Sequence, residues 1–179
     1  MKLVILDRDG VINFDSDHYI KSPSEWRPIP GSIEAIARLN QNGYRVTVAT
    51  NQSGIGRGLF DMATLNAIND KMMEMVFRQG GRIDALFFCP HTAAEDCDCR
   101  KPRTGMYEEI AARFHTELKG VPAIGDSLKD LQAAEAVGAQ PILVLTGKGK
   151  DTQAAGSLPK KTLVFEDLAE ASRHLIAHA

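Results

Sequence analysis

The sequence has few cysteines, few tryptophans and no long apolar runs, and each shortage excludes a class of protein. Its three cysteines, Cys89, Cys97 and Cys99, lie in one short segment of a 179-residue chain. An odd, clustered set does not make a disulfide framework. No stretch approaches the roughly 20 apolar residues that cross a bilayer as a helix. Lys2 is followed by only four apolar residues before Asp7, too few for the hydrophobic segment of a signal peptide. The expectation is therefore a soluble, cytoplasmic protein without a membrane partner. Neither sign of charge dominates: 21 Lys and Arg stand against 23 Asp and Glu, a formal net charge of −2. That balance leaves room for a local basic pocket but not for a polyanion-coating surface, and no basic, aromatic-interleaved track suggests a nucleic-acid partner. There is no internal repeat. Gly54, Gly56 and Gly58 are not followed by Gly-Lys-Ser/Thr, so they do not form a Walker loop. No coiled-coil pattern or long exposed apolar helix demands assembly, and a monomer is expected.

The residues that are present predict one domain over residues 1–179, since 44% of them are apolar, enough for a substantial core. Leu3–Leu6 reads as a buried strand of a parallel sheet, followed by a polar loop over Asn13–Pro30 that Pro28 and Pro30 keep from becoming a helix. Strands are expected at Tyr44–Ala49, Ile83–Phe88, Val121–Ile124, Pro141–Leu145 and, on an edge, Leu163–Phe165. Helices are expected from Ser32 to about Gly43, Asp61 to Gln79, Thr104 to about Leu118, Ser127 to Val137, and Leu168 to Ile176. Lys150–Lys161 reads as a surface loop. Strict alternation of strand and helix predicts an α/β protein, an open parallel Rossmann-like sheet with helices on both faces. Ligands of such sheets bind beyond the carboxyl ends of the strands. Asp7 and Asp9, Thr50 and Asn51, and Gly125-Asp126 each lie at a strand end and should gather on one edge.

Each cluster carries chemistry and a plainer alternative. Asp7 and Asp9, two apart, can project to one side of a fraying strand, where their repulsion invites a divalent cation or a shared proton; alone they are as readily a polar turn. Thr50 and Asn51 offer a hydroxyl and an amide beside small residues whose N–H groups can approach an anion. Arg100, Lys101 and Arg103 give local positive charge; the plain reading is a solvated run, the functional one a phosphate partner. Asp126 and Asp130 flank a helix start, with Asp126 assigned to the metal and Asp130 to its support. Cys89, His91, Cys97 and Cys99 form two tight pairs suited to a tetrahedral, closed, structural Zn²⁺ site. That ion would freeze a loop that has no core of its own. Met72, Met73 and Met75 are expected to include core residues, His115, His174 and His178 surface ones, and Trp26 to pack its loop.

Asp7-x-Asp9-Gly10, Thr50, Lys101-Pro102 and Gly125-Asp126-x-x-x-Asp130, in this order, resemble the motifs of the haloacid dehalogenase superfamily of phosphatases. With Cys89-x-His91, Cys97-x-Cys99, Gln52-Ser53-Gly54-Ile55 and Thr146-Gly147-Lys148, the chain is similar to the zinc-containing subgroup acting on heptose bisphosphate and on histidinol phosphate. Most of these features point to the heptose enzymes, whereas the five residues between His91 and Cys97 match the shorter loop of the histidinol-phosphate group. Val11 stands where many members carry Thr. The resemblance implies Mg²⁺ held by Asp7, the Asp9 carbonyl and Asp126, with Asp7 as nucleophile and Asp9 as acid and base. It also implies that Thr50 and Lys101 hold the transferring phosphoryl group and that no cap domain is present. The substrate, a sugar bisphosphate, would then be walled in by the loop carrying Asp15 and His18, by Asn51, Gln52 and Ser53, and by the zinc loop. Arg100, with Arg57 or Lys148 near a second phosphate, would read its far end, while Lys101 binds the substrate through the transferring phosphate.

Overall fold

The computed structural model describes all 179 residues. In chain order the elements are β1 (Lys2–Leu6), α1 (Ser32–Gln41), β2 (Tyr44–Asn51), α2 (Ser53–Gly56), α3 (Met62–Arg78) and β3 (Ala85–Cys89). They continue with α4 (Gly105–Phe114), β4 (Pro122–Gly125), α5 (Leu128–Ala136), β5 (Gln140–Val144), α6 (Gly149–Ala155), β6 (Leu163–Phe165) and α7 (Leu168–Ala177). All six strands pair in parallel, in the order β3-β2-β1-β4-β5-β6. This is the doubly wound arrangement, whose direction of winding reverses between β1 and β4.

The apolar run of β1 is continuous because both faces of the strand are covered. Val4 and Leu6 pack with side chains of α1, α3 and α7 in a cluster of 23 buried residues. Leu3 and Ile5, alternating with them, face a second cluster of 12 that includes Met106 and Ile110 of α4 and Ala133 of α5. Asp61, where the sequence reading began this helix, caps α3 through its carboxylate, which accepts from the Thr64 N–H at 2.8 Å.

The long loop over residues 13–30 is tied down at both ends. The Ile29 N–H donates to the Ile12 carbonyl (2.9 Å) and the Ser32 hydroxyl to the same oxygen (2.6 Å). Trp26 is fully buried, and Lys71 of α3 donates to the carbonyls of Pro23 and Trp26 at 2.7 and 2.8 Å. The tryptophan thus packs its loop against α3, as expected.

Several elements differ from the sequence reading. β2 runs on through Thr50 and Asn51, which pair with Phe88 and Cys89 of β3, so both lie inside the strand rather than after it. The helix expected to reach Leu118 stops at Phe114, with His115 in the left-handed region at φ 48°. The helix α6, Gly149–Ala155, takes in the first six residues of the stretch read as a surface loop, and Ser53–Gly56 is the short α2. Neither short helix has the apolar stripe that periodicity detects.

Candidate active site

The carboxyl ends of β1 and β4 lie side by side at the reversal point. The Asp7 N–H continues the strand pairing by donating to the Ile124 carbonyl at 2.9 Å. Asp7 and Asp126 therefore leave neighbouring strands onto the same edge, and their carboxylates, with that of Asp130, come within 4.8 Å of one another. Gly10 and Gly147 make this approach possible. Each has a positive φ, and a Cβ on either would overlap the Asp126 carboxylate. The loop after β5 and α6 support Asp126 and Gly10: the Lys148 N–H donates to Asp126 Oδ2 at 2.8 Å, the Thr152 hydroxyl to the Asp126 carbonyl at 2.8 Å, and the Thr146 hydroxyl to the Gly10 carbonyl at 2.6 Å.

Lys101 threads an ammonium into this acidic edge. It lies 2.6 Å from Asp130 Oδ1 and 3.2 Å from Asp7 Oδ1, donates to the Ala49 carbonyl at 2.7 Å, and is only 2% exposed. The Asn51 side chain fixes its backbone: Nδ2 donates to the Lys101 carbonyl (3.1 Å) and Oδ1 accepts from the Lys101 N–H (3.0 Å). The remaining oxygen of Asp130 accepts from the Asp126 N–H, the Ser127 N–H and the Ser127 hydroxyl at 3.0–3.1 Å. Asp130 is thus fully committed within the protein. Asp7 Oδ2, Asp126 Oδ1 and the Asp9 carbonyl, by contrast, receive no hydrogen bond from the chain. Two carboxylate oxygens and one carbonyl left without donors are hard ligands of the kind Mg²⁺ takes, so these residues fit that ion.

The electrostatics follow from burial and crowding. Burial, then Asp130, pushes Asp7 well above the ordinary carboxylate range against the pull of Lys101. Burial and Asp130 push Asp126 up to about 7. Burial works against the charge on Lys101, but Asp130 and Asp7 outweigh it and hold that pKa above its ordinary value. Asp9 goes the other way. Burial opposes its charge, yet the Arg8 guanidinium and hydrogen bonds from Arg8, Asn13 and Gln52 more than offset this, and its pKa falls. Its Oδ1 accepts from Arg8 Nε (2.9 Å) and Asn13 Nδ2 (3.0 Å), its Oδ2 from Gln52 Nε2 (3.2 Å). Asp7 and Asp9 share an edge, as the strand spacing suggested, but the Asp9 carboxylate turns away from the acidic cluster.

A cavity of about 310 Å³ opens over these groups. Asp7, Asp9, Thr50, Lys101 and Asp126 line it, as do Asp15, Asn51, Ser53 and Arg100. Two residues placed at the ligand by sequence reasoning do not. His18 is exposed outside the lining. Gln52 is 4% exposed, with its amide turned inward onto Asp9 and Thr50. Arg57 also lies outside the lining, with its guanidinium over the Tyr19 ring, whereas Lys148 is inside and 3.7 Å from Asp15. Lys129 was missed. It lines the cavity from the first turn of α5, and burial together with the charges of Arg100 and Lys148 lowers its pKa. Its place inside the Gly125-Asp126-x-x-x-Asp130 motif, three residues after Asp126, was the available signal.

Beside the cavity, Cys89, His91, Cys97 and Cys99 bring their ligand atoms within 4.8 Å of one another. Cys89 Sγ is 3.8 Å from Cys97 Sγ and 3.5 Å from His91 Nδ1, close to the edges of roughly 3.8 and 3.6 Å in a tetrahedral zinc site. The Cys99–Cys89 separation, 2.7 Å, is shorter than such an edge. Three thiols and one imidazole are a donor set that fits Zn²⁺.

The comparisons with known proteins bear on the whole chain. The HAD-hydrolase-like family model matches residues 98–171. D-glycero-beta-D-manno-heptose-1,7-bisphosphate 7-phosphatase of Bordetella bronchiseptica is 57% identical over 179 residues, all of both chains. The chain belongs to this family of haloacid dehalogenase-like phosphatases. It is accordingly a phosphoric monoester hydrolase. The crystal structure of the Bordetella D,D-heptose 1,7-bisphosphate phosphatase, complexed with magnesium and phosphate, matches all of both chains with a TM-score of 0.99. That of Burkholderia thailandensis D,D-heptose 1,7-bisphosphate phosphatase is 53% identical, covers 99% of each chain and gives a TM-score of 0.79. No helix of this family member is long and apolar enough to cross a membrane.

Replacing Lys101 by Met strands Asp7 and Asp130 as buried carboxylates. The expected loss of stability is about 3–5 kcal/mol, read by denaturant unfolding without added magnesium.

Proposed function

We propose that this chain, as a single domain over residues 1–179, removes the 7-phosphate of D-glycero-D-manno-heptose 1,7-bisphosphate through an aspartyl-phosphate on Asp7. It would act in the cytoplasm, as a monomer, in the supply of nucleotide-activated heptose for surface glycans such as the lipopolysaccharide core. The observation that carries the reading is Asp7 itself: one oxygen tied to Lys101 and the Arg8 N–H, the other without a donor, on the floor of a polar cavity. The likeness over full length to enzymes of that name supports it.

Asp7, Asp126 and the Asp9 carbonyl would hold Mg²⁺, which when bound offsets the repulsion between carboxylate and phosphate and polarises the phosphoryl oxygens. The chain's own groups do the rest. Lys101 and the Thr50 hydroxyl hold the equatorial oxygens of the transferring group. A carboxylate oxygen of Asp7 attacks phosphorus in line, and the bond from phosphorus to the sugar oxygen breaks. The incoming phosphate opposes the negative charge on Asp9, so this carboxyl takes up a proton with the substrate and gives it to the leaving alkoxide. In the second half Asp9, again a carboxylate, takes a proton from the water that attacks phosphorus. The bond from phosphorus to Asp7 breaks, and inorganic phosphate leaves.

Two anionic ends suit the distribution of charge. Lys101 sits at the reacting end, while Arg100, Lys129 and Lys148 line the rest of the cavity. Tyr19 is the only aromatic side chain in that lining, a poor wall for the imidazole of histidinol phosphate. The far phosphate of a bisphosphate would meet Arg100 and Lys129, with Lys148 released from Asp15. Asp15, Asn51 and Ser53 are the groups placed to meet sugar hydroxyls. Zn²⁺ on Cys89, His91, Cys97 and Cys99 would fix the segment that delivers Arg100 and Lys101.

In Asp7→Asn, turnover and any acid-labile phosphoenzyme are expected to vanish while the circular dichroism spectrum is kept; normal activity would dispose of the reading. Arg100→Ala should narrow the preference for the bisphosphate over the corresponding 7-monophosphate, measured as a ratio of kcat/KM, by about 10-fold or more. An unchanged ratio would remove Arg100 from the far end. Elemental analysis should find about one zinc per chain, lost in Cys97→Ser together with activity at low metal; native activity without zinc would leave the ion no positioning role.

A further inference from the structure

Gln52 follows directly on the strand-end residues of β2, yet it faces inward and is almost fully buried. Its side-chain Nε2 lies 2.9 Å from Thr50 Oγ1 and 3.2 Å from Asp9 Oδ2. The orientation of this amide is fixed by chemistry, because an ionised carboxylate only accepts and the atom facing it must be the nitrogen. The two hydrogens of one NH₂ group therefore serve two groups of the proposed reaction.

The two oxygens of Asp9 are not equivalent. Oδ1 is anchored by Arg8 and Asn13, whereas Oδ2 meets Gln52 and no other donor. Oδ2 is thus the oxygen left to exchange a proton, and Gln52 sets the direction in which it points. On the other side, Thr50 Oγ1 accepts from Gln52, so the hydroxyl's own hydrogen is left to donate elsewhere. Its one contact as donor within the chain is the Asn51 carbonyl at 3.5 Å, at the limit of a hydrogen bond. That hydrogen is available to a phosphoryl oxygen in the cavity.

We propose that Gln52 is a positioning residue: its amide aligns the working oxygen of Asp9 with the sugar oxygen and turns the Thr50 hydroxyl toward the phosphoryl group. The inference rests on the phosphatase reading above and goes beyond it, since Gln52 touches neither substrate nor metal in this arrangement. It replaces the sequence-based assignment of Gln52 to the substrate.

Proton delivery matters for an alkoxide leaving group and little for p-nitrophenolate, which departs as an anion at neutral pH. The test compares single-turnover rates of the full-length, metal-loaded protein on heptose 1,7-bisphosphate and on p-nitrophenyl phosphate. In Gln52→Met, close in volume but without donors, the rate on p-nitrophenyl phosphate divided by that on the sugar phosphate should rise about 10-fold or more, with KM for the sugar little changed. Gln52→Glu, which sets a carboxylate against Asp9, should shift the ratio in the same direction. The ratio does not depend on the folded fraction, so partial unfolding cannot imitate the effect. Rates that fall equally on both substrates, or do not fall, would overturn the positioning role. A native protein that hydrolyses neither substrate would instead remove the phosphatase reading on which it rests.

Discussion

One buried ammonium group governs the arrangement of this site. Lys101 reaches 2.6 Å from Asp130 and 3.2 Å from Asp7, joining the ends of two strands that are far apart in sequence. Without it, three carboxylates would meet in a desolvated corner with no cation of the protein within ion-pair distance. Its position is in turn set by three features of the chain: the Asn51 amide grips its backbone, the Ala49 carbonyl takes a hydrogen of its ammonium, and the cysteine-rich segment ends two residues before it. The cysteine and histidine cluster and the acidic cluster are therefore neighbours along one segment, the first followed directly by the lysine that the second requires.

Asp7 and Asp9 show how much the surroundings decide. Both are carboxylates at the end of one strand, two residues apart, and the structure moves their proton affinities in opposite directions. Asp7 shares its corner with Asp126 and Asp130. Asp9 is surrounded by donors, among them a guanidinium with no exposed surface that is itself held by Asn69 of α3 at 3.0 Å. The fold supplies these two environments from different elements, the acidic one from the end of β4 and the start of α5, the donor-rich one from Arg8, Asn13 and Gln52.

The parts of this picture that were legible in the sequence are those that depend on strand ends. Once alternation of strand and helix is read, topology alone places Asp7, Thr50, Asn51 and Asp126 on one edge, and the strand order agrees. The cysteine and histidine cluster was legible because two pairs so close in sequence can bring their side chains together. What sequence did not disclose is the direction of individual side chains. Gln52 and His18 were placed at the ligand because their neighbours are there, but one is buried and the other points to solvent. Lys129 escaped notice because a lysine on the first turn of a helix has the ordinary look of a surface residue. The support of Asp126 by Lys148 and Thr152, and of Gly10 by Thr146, depends on a loop and a short polar helix that carry no periodic signal.

The lining of the cavity, four cationic and six acidic side chains with a single aromatic ring, has a consequence of its own. Such a pocket gains little from excluding water around carbon, so nearly all of its hold on a guest is ionic and directional. It measures how far apart the anionic ends of a molecule stand more than it senses the outline of the skeleton between them. Dissolved electrolyte, by screening those ends, would blunt its discernment as well as its grip.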